Sequence, residues 1–138
     1  MKEKVIGNKY FMVFPDKGIV RGRVFKKPIG LDLDGCRRDA KNMIYHAIYS
    51  LKMDETPEYY KSIAKCDERD EFDEKKGIDL VGEKLDRKQH HKLAIKFRRL
   101  YLLFLECAAF CMARYEFHNE KVKKIDEDIL QTYGTEGE

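Results

Sequence analysis

The chain has 138 residues, which is the length of one domain and excludes a large multidomain protein. Hydrophobic residues make up 43% of it, too many for a disordered polyelectrolyte, and its 3 Pro and 9 Gly are too few for a linker or a collagen-like polymer. We therefore expect a single folded domain over residues 1–138.

The net charge of +3 hides an uneven distribution along the chain. Residues 1–53 carry 12 basic and 5 acidic side chains (+7), residues 54–86 carry 6 and 12 (−6), and residues 87–138 carry 10 and 8 (+2). A basic amino-terminal third attracts phosphates and other anions, and it can equally neutralise the acidic middle segment of a neighbouring subunit. The sequence leaves both interpretations open.

The first 27 residues predict a three-stranded antiparallel β-meander. Gly7–Asn8 has the composition of a two-residue hairpin turn, and Pro15–Gly18 supplies a second turn. In the third strand, residues 19–25, alternation directs the valines to one side and the arginines and Phe25 to the other. We expect one apolar face and one face that offers guanidinium groups.

Two helices are predicted next. Residues 36–53 carry apolar side chains at the three-and-four spacing of a buried helix stripe, with Asp32 or Asp34 as the cap. Residues 57–65 are expected to form a short helix, because Thr56–Pro57 has the form of a cap followed by proline in the first turn.

Residues 70–132 predict a long helical region that can be broken. Asp70 and Asp73 resemble a capping box and mark its start. Gly77 and Gly82 weaken it, each by about 1 kcal/mol relative to alanine, and close packing of another helix against them is one physical reason for their presence.

The segment Leu93–Phe117 is the most informative part of the sequence. Its apolar residues cover the whole helix circumference, because consecutive helical residues point about 100° apart. One small domain has difficulty covering such a cylinder, which predicts a homo-oligomer formed through this helix. The alternative is the central helix of a monomeric bundle. Its most apolar stretch, residues 100–113, is interrupted by Glu106 and is shorter than the roughly 20 apolar residues of a bilayer span, so no membrane association is expected.

No metal site, cofactor or catalytic residue is predicted. Cys107 and Cys111 are four residues apart, but zinc sites usually need four ligands and no second pair is evident. The acidic cluster of residues 67–74 lacks the spacing and central glycine of a calcium loop. The amino terminus has no apolar signal-peptide core, which favours free thiols and a cytoplasmic location.

Basic groups are the best candidates for recognition of an anion, because arginine matches phosphate oxygens with paired donors. Tyr10 and three further aromatic residues could stack a base. The candidate anion-binding residues are Arg21, Arg23, Arg37, Arg38, Arg98 and Arg99, and the principal stacking candidates are Phe25, Tyr45 and Tyr49.

The stretch from Ala64 to Leu80 resembles a segment of small accessory proteins of phages and prophages of Gram-positive bacteria. The family pattern is Ala-x-Cys-x-Pro-x-Asp-x-Phe-Asp, then three residues, Gly, two residues and an apolar pair. This chain keeps Cys66, Asp70, Phe72, Asp73, Gly77 and Leu80 and has Glu68 in place of the proline. The resemblance implies phage origin and an accessory role in the bacterial host cytoplasm, and it carries no active site with it.

The sequence therefore predicts an α+β domain, with a short amino-terminal antiparallel meander followed by a helical body that ends in one long apolar helix. The leading functional hypothesis is a non-catalytic phage-type binding protein that sequesters an anionic small molecule, such as a nucleotide signal of host defence. The alternative is an accessory factor that binds nucleic acid or a host protein.

Overall fold

The computed structural model describes residues 1–29, 33–54 and 58–134. Within them the protein forms four strands and two α-helices, an α+β arrangement that confirms the predicted fold class. The elements in chain order are β1 (Lys2–Ile6), β2 (Lys9–Phe14), a single 3-10 turn (Pro15–Lys17), β3 (Ile19–Phe25), α1 (Arg38–Ser50), β4 (Tyr59–Lys65) and α2 (Glu74–Tyr133).

The four strands form one antiparallel sheet in the order β1-β2-β3-β4. The first three strands and both turns confirm the predicted meander. Gly7 and Gly18 have φ values of 61° and 63°, a backbone conformation that glycine adopts at little cost. In β3 the exposure alternates strictly, with Val20 and Val24 buried and Arg21 exposed, as the side-chain alternation of a strand predicts.

The predicted helix over residues 57–65 is wrong, because Tyr59–Lys65 forms the edge strand β4. Its core-facing and outward-facing residues alternate, and Tyr60 and Ala64 pack against the apolar cluster on one face of the sheet. Pairing with β3, from Phe25 opposite Tyr59 to Ile19 opposite Lys65, determines this conformation. The predicted cap at residues 56 and 57 lies outside the described residues.

The main core lies between one face of the sheet and the first turns of α2. It consists of Phe11, Val13, Val20, Val24, Ile78, Val81 and Leu85, with Phe72 packed against it. Two glycines permit the close approach: a Cβ atom at Gly22 would lie 2.4 Å from Val81 Cγ1, and one at Gly77 would lie 2.7 Å from Val20 Cγ2. Gly77 therefore contacts a strand and not the second helix that the sequence suggested.

Polar contacts between α2 and the sheet lie around this core. Glu74 forms ion pairs with Lys4 at 3.2 Å and with Lys2 at 3.6 Å, and Lys9 pairs with Asp86 at 2.9 Å. The basic amino-terminal residues thus neutralise part of the acidic middle segment within the same chain, in addition to any contact between subunits.

Two hydrogen bonds from α2 protect the outer edge of β4. The Lys84 ammonium group donates to the Ile63 carbonyl at 3.0 Å, and the Lys88 ammonium group donates to the Lys61 carbonyl at 2.6 Å. An edge strand with unpaired carbonyl groups is a template for pairing with another chain, so these lysines reduce the tendency of this edge to aggregate.

Helix α1 confirms the predicted helix over residues 36–53, with ends a few residues shorter. Its N-cap residue is Arg37, without a side-chain cap, so Asp34 does not have the capping role predicted for it. Asp32 lies outside the described residues. Of the predicted apolar stripe, Ile48 is buried and Met43 is exposed.

Helix α2 is unbroken from Glu74 to Tyr133, although the sequence allowed a break. It begins later than the predicted Asp70, because the Asp73 carboxylate accepts a hydrogen bond from the Lys76 amide at 3.2 Å. By contact density the chain divides into two compact units, Met1–Arg98 and Arg99–Glu138. The first contains the sheet, and the second contains the carboxy-terminal part of α2.

Candidate functional site: the open face of the sheet

The side of the sheet opposite the main core carries no packed helix among the described contacts, and we call it the open sheet face. Because side chains alternate along a strand, every second residue of β2, β3 and β4 lies on the open sheet face. Glu3 and Val5 of β1 lie on the same face. From these three strands it consists of Tyr10, Met12, Phe14, Ile19, Arg21, Arg23, Phe25, Tyr59, Lys61, Ile63 and Lys65.

The cross-strand register brings aromatic and basic side chains together at the middle of this face. Tyr10, Arg23 and Lys61 are paired across three strands, and Phe25 is paired with Tyr59 beside them. The Arg23 guanidinium carbon lies 4.6 Å from the centroid of the Tyr10 ring and 5.8 Å from that of the Tyr59 ring. The Lys61 ammonium group lies 5.1 Å from the Tyr59 ring centroid. These contacts hold two cations over aromatic rings while leaving their hydrogen-bond donors available.

A second basic and aromatic group lies farther along the sheet. The Arg21 guanidinium carbon and the Lys17 ammonium group are each 5.8 Å from the centroid of the Phe14 ring. Arg21 is opposite Met12 and Ile63 in the register. Rings and cations therefore occur at both ends of β3, a seven-residue strand that spans about 20 Å at roughly 3.3 Å per residue.

Tyr10 is held in its phenol form. Its hydroxyl group donates a hydrogen bond to the Glu3 carboxylate, which raises the pKa of Tyr10; partial burial adds to this effect, and the positive charge of Arg23 opposes it. A neutral ring next to a guanidinium group retains its stacking surface over the physiological pH range.

The open sheet face is positively charged and carries an open concavity. Arg21, Arg23, Lys61 and Lys65 contribute four positive charges against one negative charge from Glu3, a balance of +3. A concavity of about 630 Å³ lies over its centre, lined by Tyr10, Met12, Arg21, Gly22, Arg23, Tyr59, Lys61, Ser62, Ile63, Lys84 and Lys88. Such a surface attracts an anion and offers aromatic rings for stacking.

The structure brings together only part of the predicted anion site. Arg21, Arg23 and Phe25 share the open sheet face, and Phe25 is 68% exposed. Arg37 and Arg38 lie at the start of α1, and Tyr45 and Tyr49 are exposed farther along the same helix. Arg98 and Arg99 are exposed residues of α2. Among the described residues of the first unit, no hydrogen bond, ion pair or cation–π contact joins Arg37, Arg38 or Arg98 to the open sheet face.

Tyr59 and Lys61 were missed as site residues because their strand was predicted to be a helix. Over residues 59–65, side chains that are mostly aromatic or basic alternate with Tyr60, Ser62 and Ala64. This period of two is the signal that could have identified the strand and its outward-facing residues. Tyr10 was considered for base stacking, and the register places it next to Arg23.

The residues that carry the phage-protein resemblance have structural contacts here. Asp73 caps α2, Phe72 packs on the core, and Gly77 lies against Val20. The Cys66 thiol donates weakly to backbone carbonyls, of which Asp67 is nearest at 3.4 Å. Capping and packing are thus the roles that the structure shows for Asp73, Phe72 and Gly77.

The cysteines and acidic residues form no metal centre in the described residues. All four cysteines are free, and no group of three His, Cys, Asp or Glu side chains converges within the described ranges. A search of the same residues finds no helix with the length and apolar character needed to cross a bilayer.

Comparison of the chain with protein-family models, with curated proteins and with solved structures finds no match. The arrangement of the open sheet face is therefore the basis of the functional assignment.

Proposed function

We propose that this protein is a non-catalytic binding protein whose open sheet face holds a short stretch of single-stranded nucleic acid. The observation that carries the proposal is the group of Tyr10, Arg23, Tyr59 and Lys61, in which an arginine lies between two tyrosine rings on the open sheet face. Exposed aromatic rings among basic side chains on a sheet are the features with which proteins stack unpaired bases and neutralise the phosphates that link them.

The shape of the surface favours a strand over a free nucleotide. The concavity has room for a single nucleotide, but aromatic and basic side chains continue beyond it, with Phe14 and Lys17 at the other end of the face. The length of β3, about 20 Å, corresponds to the lower end of the roughly 4–16 nucleotides that single-strand-binding folds cover. Sequestration of a nucleotide signal uses the same stacking and phosphate chemistry, and it is the competing outcome of the test below.

The cellular role in the proposal comes from the resemblance of residues 64–80 to phage accessory proteins. A phage-encoded protein that covers single-stranded nucleic acid in the host cytoplasm would act as an accessory factor and would need no catalytic group. Neither the stacking surface nor the charge of the open sheet face requires this origin, so the binding proposal stands independently of it.

The test is fluorescence polarisation with a labelled, unstructured 12-nucleotide oligomer, as DNA and as RNA, over a series of salt concentrations. We expect the affinity to fall with salt, with a log–log slope of about −2 to −3 if three or four phosphates are neutralised at roughly 0.7 per phosphate. Unlabelled mononucleotides and cyclic dinucleotides should compete poorly. Strong competition by a free nucleotide would favour sequestration, and absence of binding at low salt would exclude both.

Matched variants locate the site. Tyr59→Ala should weaken binding about 5- to 150-fold, because stacking of one base contributes roughly 1–3 kcal/mol. Tyr49→Ala removes an exposed tyrosine of α1 and should leave the affinity unchanged. Arg23→Gln should reduce the salt slope by about 0.7, whereas Arg38→Gln should not change it. Equal losses in the sheet and helix variants would contradict the assignment.

A further inference from the structure

The carboxy-terminal part of α2 exposes a large apolar surface. Among the described residues that follow Leu100, no side chain is buried. Tyr101, Phe110 and Tyr115 are each more than 60% exposed, and Val122 and Ile125 are more than half exposed. This arrangement argues against the central helix of a monomeric bundle, which was the alternative interpretation of the sequence.

The exposed apolar residues include a continuous line along the helix, which we call the seam. Alternating steps of three and four residues define its ten positions: Tyr101, Phe104, Ala108, Cys111, Tyr115, His118, Val122, Ile125, Ile129 and Thr132. Eight of the ten are apolar, and the two exceptions are His118 and Thr132. A repeat of seven residues with two apolar positions is the pattern of a left-handed coiled coil. Glu106, the single carboxylate in the most apolar stretch, lies on the opposite side of the helix.

We propose that a second copy of this chain packs along the seam, parallel and in register. The apolar area available is sufficient for a stable pair. Tyr101 and Tyr115, each 63% exposed and about 200 Å² in size, contribute about 250 Å². Val122 and Ile125 on the seam, with Leu105 and Met112 directly beside it, are each about half exposed and contribute roughly 200 Å² more, at about 100 Å² per side chain.

These six side chains together supply about 450 Å² of apolar area per copy. A standard interface buries about 800 Å² per partner, of which roughly 57% is apolar, so the apolar part of such an interface is also about 450 Å². The remaining seam positions add to this area.

Charge favours the parallel, in-register arrangement. In such a pair, the residue just before every second seam position, such as Lys121 before Val122, faces the residue five positions later in the other copy. This rule places Lys121 of one copy opposite Asp126 of the other, and none of the corresponding pairs between residues 100 and 133 joins like charges. In an antiparallel pair each flanking position faces its own kind, so Lys121 no longer faces Asp126 and the attraction is lost.

The first test is light scattering of the purified full-length chain, with two substitutions of the same kind. Ile125 lies on the seam, and Leu130 lies off it on the same part of α2; they are 56% and 49% exposed. We expect twice the mass of one chain for the natural protein and for Leu130→Asp, and a single chain for Ile125→Asp. The two variants place a similar charge in the same helix, so a loss of helicity would affect both. A monomeric natural protein at high concentration, or equal masses for the two variants, would overturn the proposal.

The second test determines orientation. Cys111 lies on the seam, so a parallel in-register pair brings the two copies of this thiol face to face, whereas in the antiparallel pair Cys111 lies beside Val122. Diamide, a thiol oxidant, should join the two Cys111 thiols into one disulfide, with the two electrons and two protons passing to diamide. We expect a covalent dimer that Cys111→Ser abolishes and Cys36→Ser does not. A dimer by light scattering that gives no Cys111–Cys111 peptide in mass spectrometry would overturn the parallel arrangement.

Discussion

The contact between α2 and the sheet can be tested with two glycines of the same helix. At Gly77 an added Cβ atom would lie 2.7 Å from Cγ2 of Val20, a fully buried side chain that cannot move aside into solvent. At Gly82 the nearest atom would be 3.8 Å away, at the Phe11 ring, which is an ordinary contact distance. Replacement by alanine removes about 1 kcal/mol of unfavourable helix propensity at each position, so only packing distinguishes the two variants.

The expected free energies of unfolding follow from this difference. Gly82→Ala should be more stable than the natural protein by about 1 kcal/mol. Overpacking costs about 1–3 kcal/mol, so Gly77→Ala should lie about 1–3 kcal/mol below Gly82→Ala. Urea denaturation followed by far-UV circular dichroism, at one protein concentration, measures both values. Equal stabilisation of the two variants would refute the close packing of α2 on β3, and with it the assignment of the opposite side as the open sheet face.

Two further predictions concern contacts of α2 with the sheet. The hydrogen bond from Lys4 lowers the pKa of Glu74 in the folded protein. This contact therefore stabilises the fold fully above the pKa of an unfolded glutamate, about 4.3. The stabilisation is lost as the pH falls through the lower pKa of the folded protein. Glu74→Gln should therefore be less stable at neutral pH and approach the natural protein in acid; parallel denaturation curves at all pH values would contradict this. Replacing Lys84 and Lys88 by methionine should leave the β4 edge uncovered and increase turbidity on storage, whereas unchanged solubility would show that the lysines do not protect the edge.

Local chemistry made the amino-terminal strands predictable. Gly7 and Gly18 mark the two turns, and the alternation of valine and arginine in residues 19–25 identifies the two faces of β3 without knowledge of its neighbours. The segment 59–65 also alternates, but the sequence prediction did not assign it to a strand. Its conformation depends on pairing with β3, a contact made across more than thirty residues of sequence, and the local threonine–proline signal favoured a helix.

The site was predictable to the same extent as the strands. Arg21, Arg23 and Phe25 follow from alternation in β3, and the structure places them on one face. The helix arginines, such as Arg38, were grouped with them by charge alone, which carries no information about position in the fold. Tyr59 became a site residue only through its pairing with Phe25.

The central claim is that single-stranded nucleic acid lies on the open sheet face, and photo-crosslinking tests it most directly. An oligomer that contains 5-iodouracil is irradiated in complex with the full-length protein, and the modified peptides are identified by mass spectrometry. We expect crosslinks at Tyr10, Phe25 or Tyr59. Crosslinks confined to the tyrosines of α1 and α2, or none from a complex that binds, would contradict it.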